Sequence, residues 1–509
     1  MSTTSDNKRL AKNTILLYGR TLLVMLITLY TSRVVLNALG VNDYGISNIV
    51  GGFVGFFSII SGTLIATTQR YLNFELGKKD NSQPQKVFGA SMCIHVLLAL
   101  ILFIVLESFG LWFLNNRLNI PVDRLYASNW VFQCSILAFL VSILSTPYTA
   151  VIIAHEKMSA FAYISLLDVC LKLGVAYLIS CTSSDKLIVY SLLIFGIALI
   201  DQLIYWLYAR RHFLEAKFII VRDKALYKEM FSFASMNFIG AFASILANQG
   251  IDIVLNLFFG VAINAARGIS NQILNAVVRF VNDFMTALNP QITKEYASGN
   301  CEKSRILCLR GSKFAFFLMM FFAVPLIFRI PYILDIWLGN YPDYTIIFVR
   351  CAFILSMMTL LSNPLITEIL ATGNLTTTTF WIGGIRLLTL PIAYIVFRFG
   401  GGPEYGYITL IGIEIISLFV RLRILEIITK MSFIREFLIN VLLRIAIVAL
   451  VVILVNYILS ATFPNNFIGL VIYGLISCIT SIGTIMIVGL SDLERTSIVE
   501  FVKTKLKVK

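Results

Sequence analysis

Leu144-Ser145-Thr146-Pro147 and, about 217 residues further on, Leu361-Ser362-Asn363-Pro364 are the stretches that decide the fold. The same distance leads from Ala176-Tyr177 to Ala393-Tyr394. Near the start of the chain, Val34-Val35-Leu36-Asn37 followed by Gly40-Val41 is echoed by Ile253-Val254-Leu255-Asn256 followed by Gly260-Val261. Matches that keep one register at about 217 to 220 residues mark a duplicated chain.

Working outward, each copy is made of long apolar runs. Of 509 residues, 58% are hydrophobic and only 13% charged, and mean hydropathy is +0.86. Soluble domains carry roughly 25% charged residues, so the composition belongs to the membrane class. A helix needs about 20 apolar residues to cross the hydrocarbon core. Spans are expected near 13–37, 43–70, 87–114, 124–152, 158–180, 186–209, 227–258, 262–289, 310–337, 343–371, 375–397, 404–428, 437–460 and 467–490. The second, eighth and tenth are the most polar of these about fourteen segments.

Basic residues test the count independently. Lys8, Arg9 and Lys12, then Lys78, Lys79 and Lys86, then Arg210, Arg211 and Lys217, then Lys294, Lys303 and Arg305, then Arg421, Arg423, Lys430 and Arg435 fall in alternate connections with the C-terminal tail. The opposite connections hold Arg117, Arg124, Lys186 and Arg398. This bias puts both termini in the cytoplasm, and one span more or fewer would scramble it. The net charge of +14 is thus explained by topology, and no nucleic-acid partner is expected. The N-terminus, Met1 to Leu10, is polar, and no cleavable signal is expected.

Six spans separate the copies, so both halves face the same way: a parallel repeat. The expected fold is an all-α polytopic membrane protein with two six-helix lobes and two C-terminal helices. The expected divisions are 1–220, 221–432 and 433–509, the last ending in a basic tail. Pro147 and Pro364 lie late in the fourth helix of each half. A mid-helix proline removes a hydrogen bond and bends the helix, and both a static bend and a hinge for alternating access remain open.

No GxxxxGK[ST] loop, zinc spacing or nucleophile elbow is present in the sequence, and the external connections are too short for a catalytic domain. The eight cysteines form no CxxC pair and read as small buried hydrophobes. No enzyme activity, cofactor or metal site is expected. The informative residues are ionisable groups inside spans, each costing roughly 2.5–3.5 kcal/mol or more at a helix centre, so that they face a cavity or one another. In the eighth span Asn264, Arg267, Asn271, Asn275, Asn282 and Asn289 recur at helical spacing, with Arg279 at the edge and Ile269, Ile273, Val277 and Phe280 opposite. Such a stripe belongs against water or in a hydrogen-bonded helix interface; a water-filled cavity is the expectation. In the second span Asn48, Gly51, Gly52, Gly55, Ser58 and Gly62 suit close packing.

Asp168 with Lys172, and Arg279 with Asp283, are four apart and can neutralise each other. Arg20, Arg386 and Arg444 have no local partner. Asp252, with Asn248 and Gln249 beside it, is a candidate for binding Na+ or H+, or for pairing with an arginine. Cations outnumber acids among the cavity candidates, and guanidinium grips phosphate through paired hydrogen bonds. An anionic substrate driven by an ion gradient or potential is implied.

Leu29-Tyr30-Thr31-Ser32-Arg33-Val34-Val35-Leu36, running to Asp43-Tyr44-Gly45, with Ala66-Thr67-Thr68-Gln69-Arg70-Tyr71-Leu72 and Ile153-Ala154-His155-Glu156-Lys157-Met158, resembles the Wzx-type polysaccharide flippases. These belong to the multidrug/oligosaccharidyl-lipid/polysaccharide exporter superfamily. The resemblance implies transfer of an undecaprenyl-pyrophosphate-linked oligosaccharide (an O-antigen or capsule repeat unit) between leaflets of a bacterial inner membrane. It implies arginines on the pyrophosphate, carried over to Arg20 and Arg267 and more weakly to Arg279. The candidate cationic site is therefore Arg20, Arg267, Arg279, Asn271, Asn275 and Arg386; coupling falls to Asp252 and Asn248, and hinging to Pro147 and Pro364. Membrane lipid, and a polysaccharide polymerase complex, are the further partners implied for a protein expected to be monomeric. The rivals are a multidrug or organic-cation exporter, whose cavity would be rich in acids and aromatics, and a membrane polysaccharide polymerase or ligase, which would need a larger external loop.

Overall fold

The computed structural model describes residues 3–57, 64–65, 67–69, 71–72, 75–76, 83–155, 157–372, 375–492 and 494–496; of 3–22, 158–159, 233–245, 283, 286–287, 290, 294, 297 and 375–379 it describes the backbone. Among the described residues the chain is helical and holds no strand. In order come α1 (Thr3–Gly55), α2 (Pro84–Asn116), α3 (Leu125–Ala154), α4 (Met158–Cys181), α5 (Lys186–His212), α6 (Lys224–Phe259) and α7 (Val261–Ala297). Then follow α8 (Cys301–Trp337), α9 (Thr345–Thr372), α10 (Leu375–Leu387), α11 (Thr389–Arg398), α12 (Tyr405–Thr429), α13 (Phe433–Thr462) and α14 (Phe467–Gly489). α1 carries the first expected span and the start of the second, α10 and α11 together form the eleventh, and each remaining span has its own helix. Ten segments among the described residues are long and apolar enough to cross a membrane; the chain is a multi-pass membrane protein. The tenth span, expected to be among the most polar, is one of them, with a mean hydropathy of 2.0 over its best window.

Two glycines show the duplication in backbone geometry. Gly40, inside α1, has φ 78° and ψ 171°; Gly260, between α6 and α7, has φ 79° and ψ −173°. These are the glycines paired by the sequence repeat. A Cβ is disfavoured at such φ, so the same residue ends the first helix of both halves in the same way. The prolines match too: Pro147 lies inside α3 and Pro364 inside α9, both buried.

By backbone packing the chain falls into two units, Met1–Gly268 and Ile269–Lys509. In the first, α3 packs on α5 and α1 on α4, around Ile46, Ile49, Val50, Phe53, Phe132 and Ile136. In the second, α9 packs on α8 and α12, and α13 on α8 and α14. The proline-bearing fourth helix of each copy thus lies against the sixth of its own copy. The packing boundary falls beyond the repeat boundary near residue 220, because α6 and the first turns of α7 pack within the first unit.

Candidate functional site

α7, where the eighth span is expected, turns its apolar face inward. Ile269, Ile273, Val277, Val281 and Met285 are buried, and Phe280 stacks on Phe322 of α8 with ring centroids 5.5 Å apart. The opposite face carries Asn275, Arg279 and Asn282, all exposed, and Asn271, half-buried. A helix in contact with lipid would present the reverse, since each polar group at depth costs several kcal/mol.

The start of the stripe behaves differently. Arg267 is 3% exposed, and its Nε lies 2.5 Å from Asp252 Oδ1. Its Nη2 donates to the Asn248 carbonyl at 3.1 Å. Asn264 Nδ2 donates to the Asp252 carbonyl at 2.8 Å, and Asn256 Nδ2 donates to Asn264 Oδ1 at 3.1 Å. Asn256 Oδ1 in turn accepts from the Asn119 backbone N–H at 2.8 Å. Gly268 sits against Asn48, where a Cβ would meet Oδ1 at 2.7 Å. Arg267 is expected on substrate, and Asp252 on a cation or an arginine; each is the other's partner, the second of the two readings for Asp252, in a polar knot that fastens the corner between α6 and α7. Burial explains this: an arginine held away from water requires a carboxylate. Asn248 contributes its backbone carbonyl to Arg267, and its side chain is exposed.

Each unit holds an ion cluster beside its proline helix. In the first, Lys172 Nζ lies 2.8 Å from Asp168 Oδ1 on α4, the pairing that the spacing predicts. Asp201 on α5 faces the same cavity of about 390 Å³, lined also by Ser145, Thr146 and Thr149 of α3. Asp201 Oδ1 is buried without a hydrogen-bond partner among the described residues. In the second unit Arg386 Nη2 lies 2.8 Å from Glu414 Oε2, and Arg421 Nη1 lies 2.7 Å from Glu414 Oε1. Arg421 Nη1 also donates to Ser362 Oγ at 2.7 Å. Arg386, expected to be a cavity cation without a local partner, thus shares one carboxylate with a second guanidinium. Arg421, which the charge pattern groups with the cytoplasmic cations, is 1% exposed inside α12.

Among the connections expected outside, Arg124 joins two carboxylates: Nη2 reaches Asp43 Oδ2 at 2.6 Å and Nη1 reaches Asp185 Oδ2 at 2.7 Å. The hydrogen bond from Arg124 is the main cause that holds the Asp185 carboxyl below the usual carboxylate range. Asp43 lies in α1, within the Asp43-Tyr44-Gly45 stretch, and Asp185 precedes α5; each meets Arg124 across 61 or more residues, which spacing along the chain does not reveal. The Arg20 and Asp283 side chains, Arg70, and Ser58 and Gly62 lie outside the described residues. Among those described, no group of three or more metal-binding side chains gathers.

These geometries belong to a known scaffold. No protein-family model matches the sequence, and no curated protein matches it. Solved structures do. The lipid II flippase MurJ in an inward closed conformation has a TM-score of 0.69 at 12% identity, covering 92% of this chain and 98% of its own. The fold is shared. A multidrug resistance MATE family transporter of the MOP superfamily, inward-facing, scores 0.67 at 12% identity, covering 80% of this chain and 96% of its own. A MATE protein in complex with MaL6 scores 0.53 at 12% identity, covering 81% and 97%. Identity this low speaks for the fold, and the neighbours are transporters and flippases.

Proposed function

We propose that this protein is a flippase for undecaprenyl-pyrophosphate-linked oligosaccharide repeat units, moving them from the cytoplasmic to the periplasmic leaflet of a bacterial inner membrane by alternating access. The observation that carries the reading is the outward polar face of α7, with Asn271, Asn275, Arg279 and Asn282 on one side and a packed apolar face on the other. A sugar needs amide partners and a pyrophosphate needs guanidinium, and this face offers both. Arg279 is the proposed pyrophosphate ligand, and Asn271 and Asn275 the proposed sugar contacts. Arg267 and Arg386 serve instead to hold helices in place: Arg267 is paired with Asp252, and Arg386 shares Glu414 with Arg421.

Coupling to Na+ or H+ is assigned to the first-unit cavity rather than to Asp252. Asp168 and Asp201 line it with one lysine, and the outnumbered cation leaves room for another. Asp252 already has its counter-ion.

Coverage favours a lipid substrate over a drug. The MurJ chain matches 92% of this one and the MATE chain 80%, although each is almost wholly used in its match. The difference, about 60 residues, is close to the length of Phe433–Gly489. The two C-terminal helices are proposed to guide the lipid tail. A multidrug exporter remains the rival, with a TM-score nearly equal. Reconstituted vesicles separate the two: lipid-linked oligosaccharide should change leaflet, and Arg279→Ala should slow it at least about tenfold, the loss of one charge-assisted contact. Transport of an organic cation with no movement of the lipid-linked sugar would reverse the assignment.

A further inference from the structure

Arg444 is the one partnerless arginine of the sequence reading that the proposed function does not use. On α13 it is half-buried and has no ion-pair partner among the described residues. It lines a cavity of about 200 Å³ inside the second unit, with Arg310 and Lys313 of α8, Glu436 and Asn440 of α13, and Glu494. Liquid water takes roughly 30 Å³ per molecule, so the space holds several waters or one small polar group.

The charges do not cancel. Lys313 Nζ lies 2.7 Å from Glu494 Oε2, and Arg310 Nε lies 3.4 Å from Glu494 Oε1. Burial works to raise the Glu494 pKa, but Lys313 and the Ser491 N–H together hold it below the usual carboxylate range, so it is ionised. Glu436 is engaged by Arg305 Nη1 at 2.8 Å. Lys313 and Arg310 thus share the one charge of Glu494, Glu436 is engaged by Arg305, and Arg444 has no ion pair among the described residues, so positive charge is in surplus.

Local backbone marks the same place. α13 contains a π-helical turn over Leu438–Leu442, and α14 ends in another over Ile485–Gly489, just before Ser491 and Glu494. Such turns cost regular hydrogen bonding and gather at functional sites. The first carries Asn440 and precedes Arg444, both of which line the cavity. Beside it Leu438, Ile439 and Leu443 are exposed, by 41%, 50% and 55%, in a segment apolar enough to cross a membrane. Phosphate-sized polar space with surplus charge, bordered by apolar side chains, fits a headgroup with tails attached. Basic pockets between membrane helices take anionic headgroups in this way.

We propose that this cavity binds the phosphate of an anionic glycerophospholipid, with Arg444 and Arg310 as its guanidinium ligands, Asn440 as a further donor, and the acyl chains along Leu438, Ile439 and Leu443. The inference stands independently of what the protein transports.

The test is binding of short-chain phosphatidylglycerol to the purified full chain in zwitterionic detergent, read by native mass spectrometry, with short-chain phosphatidylcholine and inorganic phosphate as competitors. Phosphatidylglycerol should bind in preference to phosphatidylcholine, and Arg444→Gln should weaken it about tenfold. Arg33→Gln, in a different cavity lined with Lys186, should leave it unchanged. Should Arg444→Gln fail to fold, Asn440→Ala, at an exposed position, should still weaken binding about threefold, the low end for a neutral hydrogen bond. Unchanged binding in the folded variants, or equal loss in Arg33→Gln, would overturn the proposal. Displacement by inorganic phosphate at the same concentration as the lipid would overturn the lipid assignment in favour of free phosphate.

Discussion

The two copies of the repeated fold carry ion clusters of opposite sign. In the first unit, two acids and one lysine from α4 and α5 border a cavity beside Ser145. In the second, two arginines share one glutamate between α10 and α12, packed against Ser362 with Arg421 1% exposed. Ser145 and Ser362 are the same residue of the repeat, two before Pro147 and Pro364. Both clusters lie between the proline helix and the two helices that follow, and they differ in the sign of their net charge. The first cluster borders a cavity and holds more acids than cations. In the second, Arg421 and Glu414 are buried, 1% and 6% exposed, and Arg386 is 18% exposed.

Removing the acid of the second cluster should have the largest effect. Glu414→Gln strands two guanidiniums, and breaking a buried pair costs about 3–5 kcal/mol. Ser362 Oγ still accepts from Arg421 Nη1, but a neutral hydroxyl does not offset a buried guanidinium charge. Thermal unfolding in detergent should show a fall in Tm or loss of the folded protein. A Glu414→Gln protein as stable as the parent would break the contrast.

The knot at Arg267 should rank second. Asp252→Asn and Arg267→Gln alone should each destabilise, while the double variant recovers, with a coupling of about 1–3 kcal/mol. Loss of flipping in Arg267→Ala at full stability would return this residue to the substrate.

Asp201→Asn, which keeps the size and a hydrogen-bonding group at this position, should change stability by less than about 1 kcal/mol, yet abolish the response of transport to Na+ or pH gradients. Asp252→Asn should keep that response. The reverse pattern would move coupling back to Asp252.

The smallest effect is at Arg124. Because Arg124 depresses the Asp185 pKa, the stabilisation it brings is present above the unfolded value of about 3.9 and is lost as pH falls through the folded value. Arg124→Gln should flatten this loss below about pH 4 in acid unfolding curves. A partly exposed pair contributes little, so a large effect at neutral pH would contradict the reading.

Much of this architecture was legible in the chain because its signals are local or periodic. Apolar runs, alternating basic loops and the repeat of Gly40 at Gly260 gave the helices and their duplication. The stripe on α7 was legible for the same reason. Partners were not legible. Arg386 meets Glu414 across 28 positions, and Arg267 meets Asp252 across a turn that Gly260 makes possible. Charges inside a membrane protein select partners in space, and spacing along one helix reveals only pairs such as Asp168 and Lys172.

The account turns on which medium touches the polar face of α7. Single cysteines at Asn275, Arg279 and Asn282, and at Ile273 and Val277 for comparison, placed in a variant lacking the eight native cysteines, can be treated in membranes with a charged, lipid-insoluble thiol reagent. Rapid labelling at the first three positions and none at the other two is the predicted result. Labelling of the first three only by a lipid-soluble reagent would show that these side chains lie against acyl chains, and the transport path drawn along them would be wrong.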